Sequence, residues 1–250
     1  MKRLLTTSVA AVALALGMSS VASAQPIKNV VLVHGAFADG SGWRGVTNIL
    51  ERDGYSVSVV QEPETSLADD VAATQRVIKR VNAPLILVGH SYGGAVITEA
   101  GNEPQVRGLV YIAAFQPDTG ETLGGLLHKF PPAANSAIPV GDGYVIVNPS
   151  KFHADFAADL PAKVAHFMSI SQVPLNTSVF STPITDAAWH HKPSWYAVAT
   201  QDREINPQQE RFTARRAGST TIEVKGSHAI YMSQPQTVAK LIEQAAQDAK

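Results

Sequence analysis

The sequence predicts an α/β architecture, a mainly parallel sheet flanked by helices, with a cap inserted in the second half of the chain. Three observations carry that expectation. Short apolar runs alternate three times with amphipathic helical patterns between residues 29 and 115, as parallel strands joined by crossover helices do. One of those junctions is a G-x-S-x-G turn, Gly89 to Gly93, set between a strand and a helix. Beyond it, nine of the fifteen prolines fall between Gln116 and Pro193, too many for a regular crossover helix and suited to an excursion from the sheet.

Taken in order, Asn29 to His34 (NVVLVH) reads as the first buried strand and runs into Gly35-Ala36-Phe37-Ala38-Asp39-Gly40. Gly-rich loops after central strands commonly build sites. Trp43 to Asp53 places Trp43, Val46, Ile49 and Leu50 at helical spacing and stops before Gly54. Tyr55 to Val60 is a valine-rich strand; Ser66 to Val81 is a helix, with Asp69 and Asp70 expected in a solvated first turn where acidic groups favour the dipole. Leu85 to Val88 is apolar without a break, as in a strand buried on both faces. A helix follows from Tyr92, with Gly101 expected as its left-handed cap, and Gly108 to Phe115 is the next strand. In the cap, about residues 116–192, Phe152, Phe156, Leu160, Val164 and Met168 recur every four residues. They predict an apolar stripe on one or two short helices near Pro161 that mainly packs, with lining of an acyl pocket as the lesser expectation. Order returns with a strand from Trp195 to Thr200, a helix from Asn206 to Ala217, a last strand from Thr220 to Val224 and a closing helix from about Pro235.

The 250 residues suit one domain. A net charge of −1 with 16% charged residues gives no basic footprint for nucleic acid and no acidic tail, so a small neutral partner is expected. The absence of cysteine excludes disulfides, thiol nucleophiles and cysteine zinc sites. Lys2 and Arg3 precede an apolar run from Leu4 to about Met18, and Ala22-Ser23-Ala24 follows. That pattern reads as a secretory signal peptide over residues 1–24, its apolar run too short for a stable membrane anchor. A periplasmic or secreted protein, with one folded domain over 25–250, is expected.

Ordinary glycine and serine frequencies produce G-x-S-x-G in roughly one chain in ten of this length, so context matters more than the pattern. Here the turn sits where a strained strand-to-helix elbow can lift the Ser91 hydroxyl above the sheet, and Gly89, Gly93, Gly94 and Ala95 permit close packing. A serine hydroxyl is a weak nucleophile near neutral pH; it needs a base for its proton and a carboxylate to fix the base's tautomer. Asp202 and His228 each follow a later predicted strand, in the chain order that hydrolases with this elbow use. Strand carboxyl ends share one edge of a parallel sheet, where sites form. Glu204 is near enough to replace Asp202, and Asp118 is the next candidate. Among the histidines, His34 reads as a structural anchor for its loop and His90 as pointing away from the site. His128, His153 and His166 lie in the cap, and His190 and His191 lack a ligand cluster. The backbone N–H groups of Ala36 and Tyr92 are the candidate oxyanion hole. No metal or organic cofactor is called for.

Five segments, VLVHGAF with Trp43, LVGHSYGG, LVYIAAFQPD, TQDREINPQQERF and EVKGSHAIYMSQP, resemble the α/β-hydrolases related to plant methyl-ester hydrolases and hydroxynitrile lyases, with their small bacterial esterase relatives. The resemblance spans most of the chain after residue 24 and is weakest across the cap. It implies the α/β-hydrolase fold, Ser91 as nucleophile, Asp202 as acid, His228 as base, and Ala36 with Tyr92 as oxyanion donors. The lyases of this group carry a lysine after the histidine and a threonine in place of the glycine of the HG pair; Ala229 and Gly35 stand there in this chain. The resemblance therefore implies hydrolysis of small carboxylic esters through an acyl-enzyme. Perhydrolases share the triad, and some relatives keep it while acting as ligand-binding receptors. Removal of the leader after Ala24 leaves a mature chain beginning at Gln25, which N-terminal sequencing of exported material reads directly; an intact Met1 would contradict it.

Overall fold

The computed structural model describes residues 27–249; the expected signal peptide lies outside the described residues. Strands and helices first alternate as β1 (Asn29–Val33), α1 (Arg44–Arg52), β2 (Ser56–Val59), α2 (Leu67–Val81), β3 (Leu85–His90), α3 (Gly93–Ala100) and β4 (Val106–Ile112). An excursion carries α4 (Leu123–Lys129), β5 (Ala137–Gly141), β6 (Tyr144–Val147), α5 (Pro149–Asp155), α6 (Ala162–Ile170) and β7 (Leu175–Asn176). The chain then returns through β8 (Ser194–Ala199), α7 (Pro207–Arg216), β9 (Thr220–Val224), α8 (Ile230–Ser233) and α9 (Pro235–Asp248).

The main sheet has the order β2-β1-β3-β4-β8-β9, and every neighbouring pair is parallel. Side chains alternate between its faces. Val30 and Leu32 join one buried cluster with α1, α8 and α9, while Val31 and Val33 join the other with α2 and α3. Burial on both faces explains why the central strands read as unbroken apolar runs. The strand order reverses at β1, which lies between β2 and β3, and crevices at such a switch point open at the carboxyl edge of the sheet.

Two boundaries differ from the sequence reading for local reasons. The strand expected over Gly108 to Phe115 runs from Val106 to Ile112 instead, because Ala113 takes a φ of 45° and turns the chain out of the sheet. Gly101 is right-handed, with φ −65°, and is no left-handed cap. Its lack of a side chain serves packing: a Cβ there would lie 2.6 Å from the Ile97 carbonyl oxygen and 2.8 Å from Ala188 and Leu109. The excursion is more than helices, since β5, β6 and β7 form an antiparallel sheet that the sequence reading did not contain. The four-residue stripe splits. Phe152, Phe156 and Leu160 are buried, Val164 is exposed, and α6 turns Phe167 (66% exposed) and Ile170 (64%) outward.

The start of α3 is the tightest junction of the fold. A Cβ on Gly93 would lie 2.3 Å from the His34 carbonyl oxygen, and one on Gly94 would lie 2.1 Å from that of Phe115. Overpacking of this kind costs about 1–3 kcal/mol. Gly94→Ala is therefore expected to lower the thermal midpoint by about 2–4 °C per kcal/mol lost, read by calorimetry, and an unchanged midpoint would show that α3 has room to shift.

Candidate active site

Ser91 directly follows β3 with a φ of 52°, the left-handed region that a side-chain-bearing residue enters only under constraint. Its N–H donates to the Ile112 carbonyl at 3.3 Å, and its own carbonyl accepts from Gly94 at 3.0 Å and Phe115 at 3.1 Å. The elbow is thus pinned to β4 and to the first turn of α3. Gly35 is equally constrained, because a Cβ there would stand 2.6 Å from the Ser91 Cβ.

The loops after β8 and β9 bring two more predicted residues to the serine. His228 Nε2 lies 2.8 Å from Ser91 Oγ, and His228 Nδ1 lies 2.6 Å from Asp202 Oδ2. Asp202 Oδ1 accepts from the backbone N–H groups of Glu204 at 2.8 Å and Ile205 at 2.9 Å. With Nδ1–H donating to the carboxylate, Nε2 is left to accept the serine proton. Burial by itself would lower the His228 pKa, but the charge and hydrogen bond of Asp202, aided by Glu204, hold it above the ordinary imidazole value. The competing carboxylates stand elsewhere: Asp118 pairs with His190 at 2.7 Å, and Glu204 faces the cavity instead of the ring nitrogen.

His90 does not point away from the site. Its ring lies 4.7 Å from that of His228 and 4.3 Å from that of Tyr231, and its Nε2–H donates to the His228 carbonyl at 2.9 Å. Burial lowers its pKa well below the usual value, so it serves as a neutral prop for the loop that carries His228. Phe156 meets the His228 ring edge-on at 4.8 Å and lines the cavity, so one member of the apolar stripe does face the site.

Behind the Gly35–Phe37 turn lies a group of carboxyls that sequence reasoning missed. Asp70, expected in solvent, is fully buried: it accepts from the Tyr92 hydroxyl at 2.6 Å and from the Glu64 N–H at 2.8 Å. Glu64 in turn accepts from the Phe37 N–H at 3.2 Å. His34 anchors the turn as expected, Nδ1–H donating to the Gly35 carbonyl and Nε2 accepting from the Glu62 N–H, both at 3.0 Å. Burial pushes Glu64 up to about 9 and raises Glu62 and Asp70. The available signal was Glu62-Pro63-Glu64 itself, two acids in the loop after β2, at the sheet edge where sites form.

Ala36 and Tyr92, the candidate oxyanion donors, both line a cavity of about 230 Å³ with Ser91 and His228. Among the described residues neither backbone N–H has a protein acceptor. The cavity walls are mostly apolar, with Phe37 and Phe115 from the sheet edge and Leu123, Leu127, Leu175 and Phe180 from the excursion.

A parallel sheet with an elbow serine, a histidine and an aspartate meeting at its carboxyl edge defines a class, the α/β hydrolases. The chain belongs to the alpha/beta hydrolase family, whose model matches residues 30–241. It is 26% identical over 245 residues to alpha/beta hydrolase nvfD of Aspergillus novofumigatus, taking in 88% of this chain and 97% of that one. A carbendazim hydrolyzing esterase of Nocardioides sp. is 37% identical over 127 residues, 45% of this chain and 52% of that protein. Among solved structures, a pyrethroid hydrolase from Sphingobium faniae shares the fold with a TM-score of 0.77 at 23% identity, over 89% of this chain and 98% of that one.

The carboxyls behind the turn set a stability trend. The folded chain keeps the Glu64 proton up to about pH 9, whereas an unfolded glutamate releases it near 4.5; between those values the folded state binds more protons, so rising pH costs stability. Glu64→Gln keeps an amide oxygen for the Phe37 N–H and removes that proton. Its thermal midpoint is expected to fall less than the wild type's between about pH 5 and about pH 8, and equal slopes would contradict a neutral Glu64.

Proposed function

We propose that this chain is a serine hydrolase that cleaves small carboxylic esters through an acyl-enzyme. The observation that carries the reading is the single imidazole of His228 reaching Ser91 at 2.8 Å with one nitrogen and Asp202 at 2.6 Å with the other. Ser91 Oγ attacks the ester carbonyl while His228 Nε2 takes its proton. Asp202 holds the tautomer and stabilises the imidazolium that forms. The developing oxyanion rests on the N–H groups of Ala36 and Tyr92; one donor of this type lowers the barrier by about 2.7–4 kcal/mol in mutational work. His228 then returns the proton to the departing alcohol, and a water, activated in the same way, resolves the acyl-enzyme.

The names of the relatives support ester bonds as the target, because both the carbendazim hydrolyzing esterase and the pyrethroid hydrolase are named for hydrolysis. Lyase chemistry is disfavoured by Gly35 and Ala229, since a threonine side chain at position 35 would press on Ser91. The leader-like residues 1–24 support action outside the cytoplasm, in the periplasm or medium.

A fluorophosphonate is expected to modify Ser91, located by mass spectrometry, and Ser91→Ala is expected to abolish hydrolysis of short aryl esters. Asp202→Asn should lower kcat by about 10⁴, since the amide favours the wrong tautomer. The base must be neutral to act, so kcat/KM should decline as pH falls through a value above 6.5. Unmodified Ser91, or turnover that survives its loss, would end this reading.

A further inference from the structure

Glu204 is an acidic side chain in the wall of an otherwise mostly apolar cavity, and beyond its charge helping to raise the His228 pKa the catalytic scheme gives its carboxyl no task. Its place is fixed by the turn that holds Asp202, to which its backbone N–H donates at 2.8 Å. One carboxyl oxygen, Oε1, accepts a long hydrogen bond of 3.4 Å from the Ser136 hydroxyl. Among the described residues the other oxygen has no protein donor. The neighbouring cation does not serve it: Arg203 is engaged by Asp155 at 2.9 Å.

The cavity is therefore divided by chemistry. Leu123 and Leu127 on α4, with Phe180 packed against that helix, make an apolar wall. Asn135, Ser136 and Glu204 supply polar side chains away from the triad itself. A few polar groups in a mostly apolar pocket are what fix a small ligand's orientation. Burial raises the Glu204 carboxyl to about 7; His228 opposes the rise and the charges of Asp202 and Asp155 add to it. A carboxyl in such surroundings gains most from a charge-assisted N–H donor, which the protein does not provide and a substrate can.

We propose that Glu204 recognises a hydrogen-bond-donating nitrogen, most strongly a protonated amine, on an ester whose remaining body is small and apolar. This deepens the reading of Ser91 as an esterase nucleophile and rests on it. Esters without the donor leave Glu204 desolvated and unpaired when they fill the cavity, and sites built around a hydrogen bond discriminate against such analogues. Glu204 is then a specificity-determining residue, acting on binding more than on the chemical step.

The test is a matched pair of substrates, the naphthyl ester of β-alanine and naphthyl butanoate, which differ by an ammonium in place of a methyl group. Wild type is expected to favour the amino ester by at least about tenfold in kcat/KM, chiefly through KM. Glu204→Gln is expected to bring that ratio to within about threefold of one; any general loss of activity cancels in the ratio. A companion measurement needs no variant: benzylammonium should slow fluorophosphonate labelling of Ser91 in wild type, and toluene at equal concentration should not. Equal turnover of both esters by wild type, a preference that persists in Glu204→Gln, or equal protection by the two ligands would overturn the proposal and leave the esterase standing. Failure of wild type to hydrolyse either ester, with Ser91 unlabelled, would instead remove the esterase reading and this proposal with it.

Discussion

The left-handed turn at Ser91 is the constraint to which the rest of the structure is fitted. A conformation of this kind costs of order 1–3 kcal/mol and persists only where its surroundings hold it. The holding groups are the Ile112 carbonyl and the Gly94 and Phe115 N–H groups, drawn from the two elements on either side. To reach them, α3 must lie almost against the chain after β1 and after β4, which is why residues 35, 89, 93 and 94 carry no side chain. The same turn puts the Tyr92 N–H at the opening of α3, where the helix dipole favours negative charge.

Two groups of carboxyls at this sheet edge are treated in opposite ways. Asp202 is surrounded by donors, two backbone N–H groups and the His228 ring. Glu62, Glu64 and Asp70 are buried side by side; Asp70 has two donors, whereas among the described residues both oxygens of Glu62 have no hydrogen-bond partner. Burial raises the pKa of all three. Their value is geometric: Glu64 and Phe37 are both left-handed, with φ 55° and 65°, and the hydrogen bond between them ties the loop after β2 to the turn that carries Ala36. Asn176 of β7 donates to the Glu64 carbonyl at 2.9 Å, so the excursion is fastened to the same point.

Most of the sheet and the three central site residues were legible because their signals are local. Buried parallel strands leave apolar runs, the elbow leaves glycines, and the loops after β8 and β9 carry Asp202 and His228 at positions that chain order alone suggests. What escaped depends on partners far away in sequence. Asp70 reads as a solvated helix start until Tyr92 and Glu64 cover it. Gly101 reads as a cap until Ala188 and Leu109 close around it. His90 turns toward the site because the carbonyl of His228, 138 residues on, accepts a hydrogen bond from its ring N–H. The antiparallel sheet of the excursion was hidden for another reason. β5 is largely exposed and contains Pro139, so it carries neither an apolar run nor a clean alternation.

The excursion departs after β4 and returns at β8, and those two strands are hydrogen-bonded neighbours. Its endpoints are therefore brought together by the sheet, whatever lies between them. Closing a longer or shorter segment over the same gap changes the chain entropy little, by about 0.6 kcal/mol for each doubling of length. One wall of the cavity can thus vary in length while the elbow and the loops after β8 and β9 stay on the sheet, provided the contacts of Phe156 with the His228 ring and of Asn176 with Glu64 are kept. New substrates become reachable by replacing a single continuous stretch of chain.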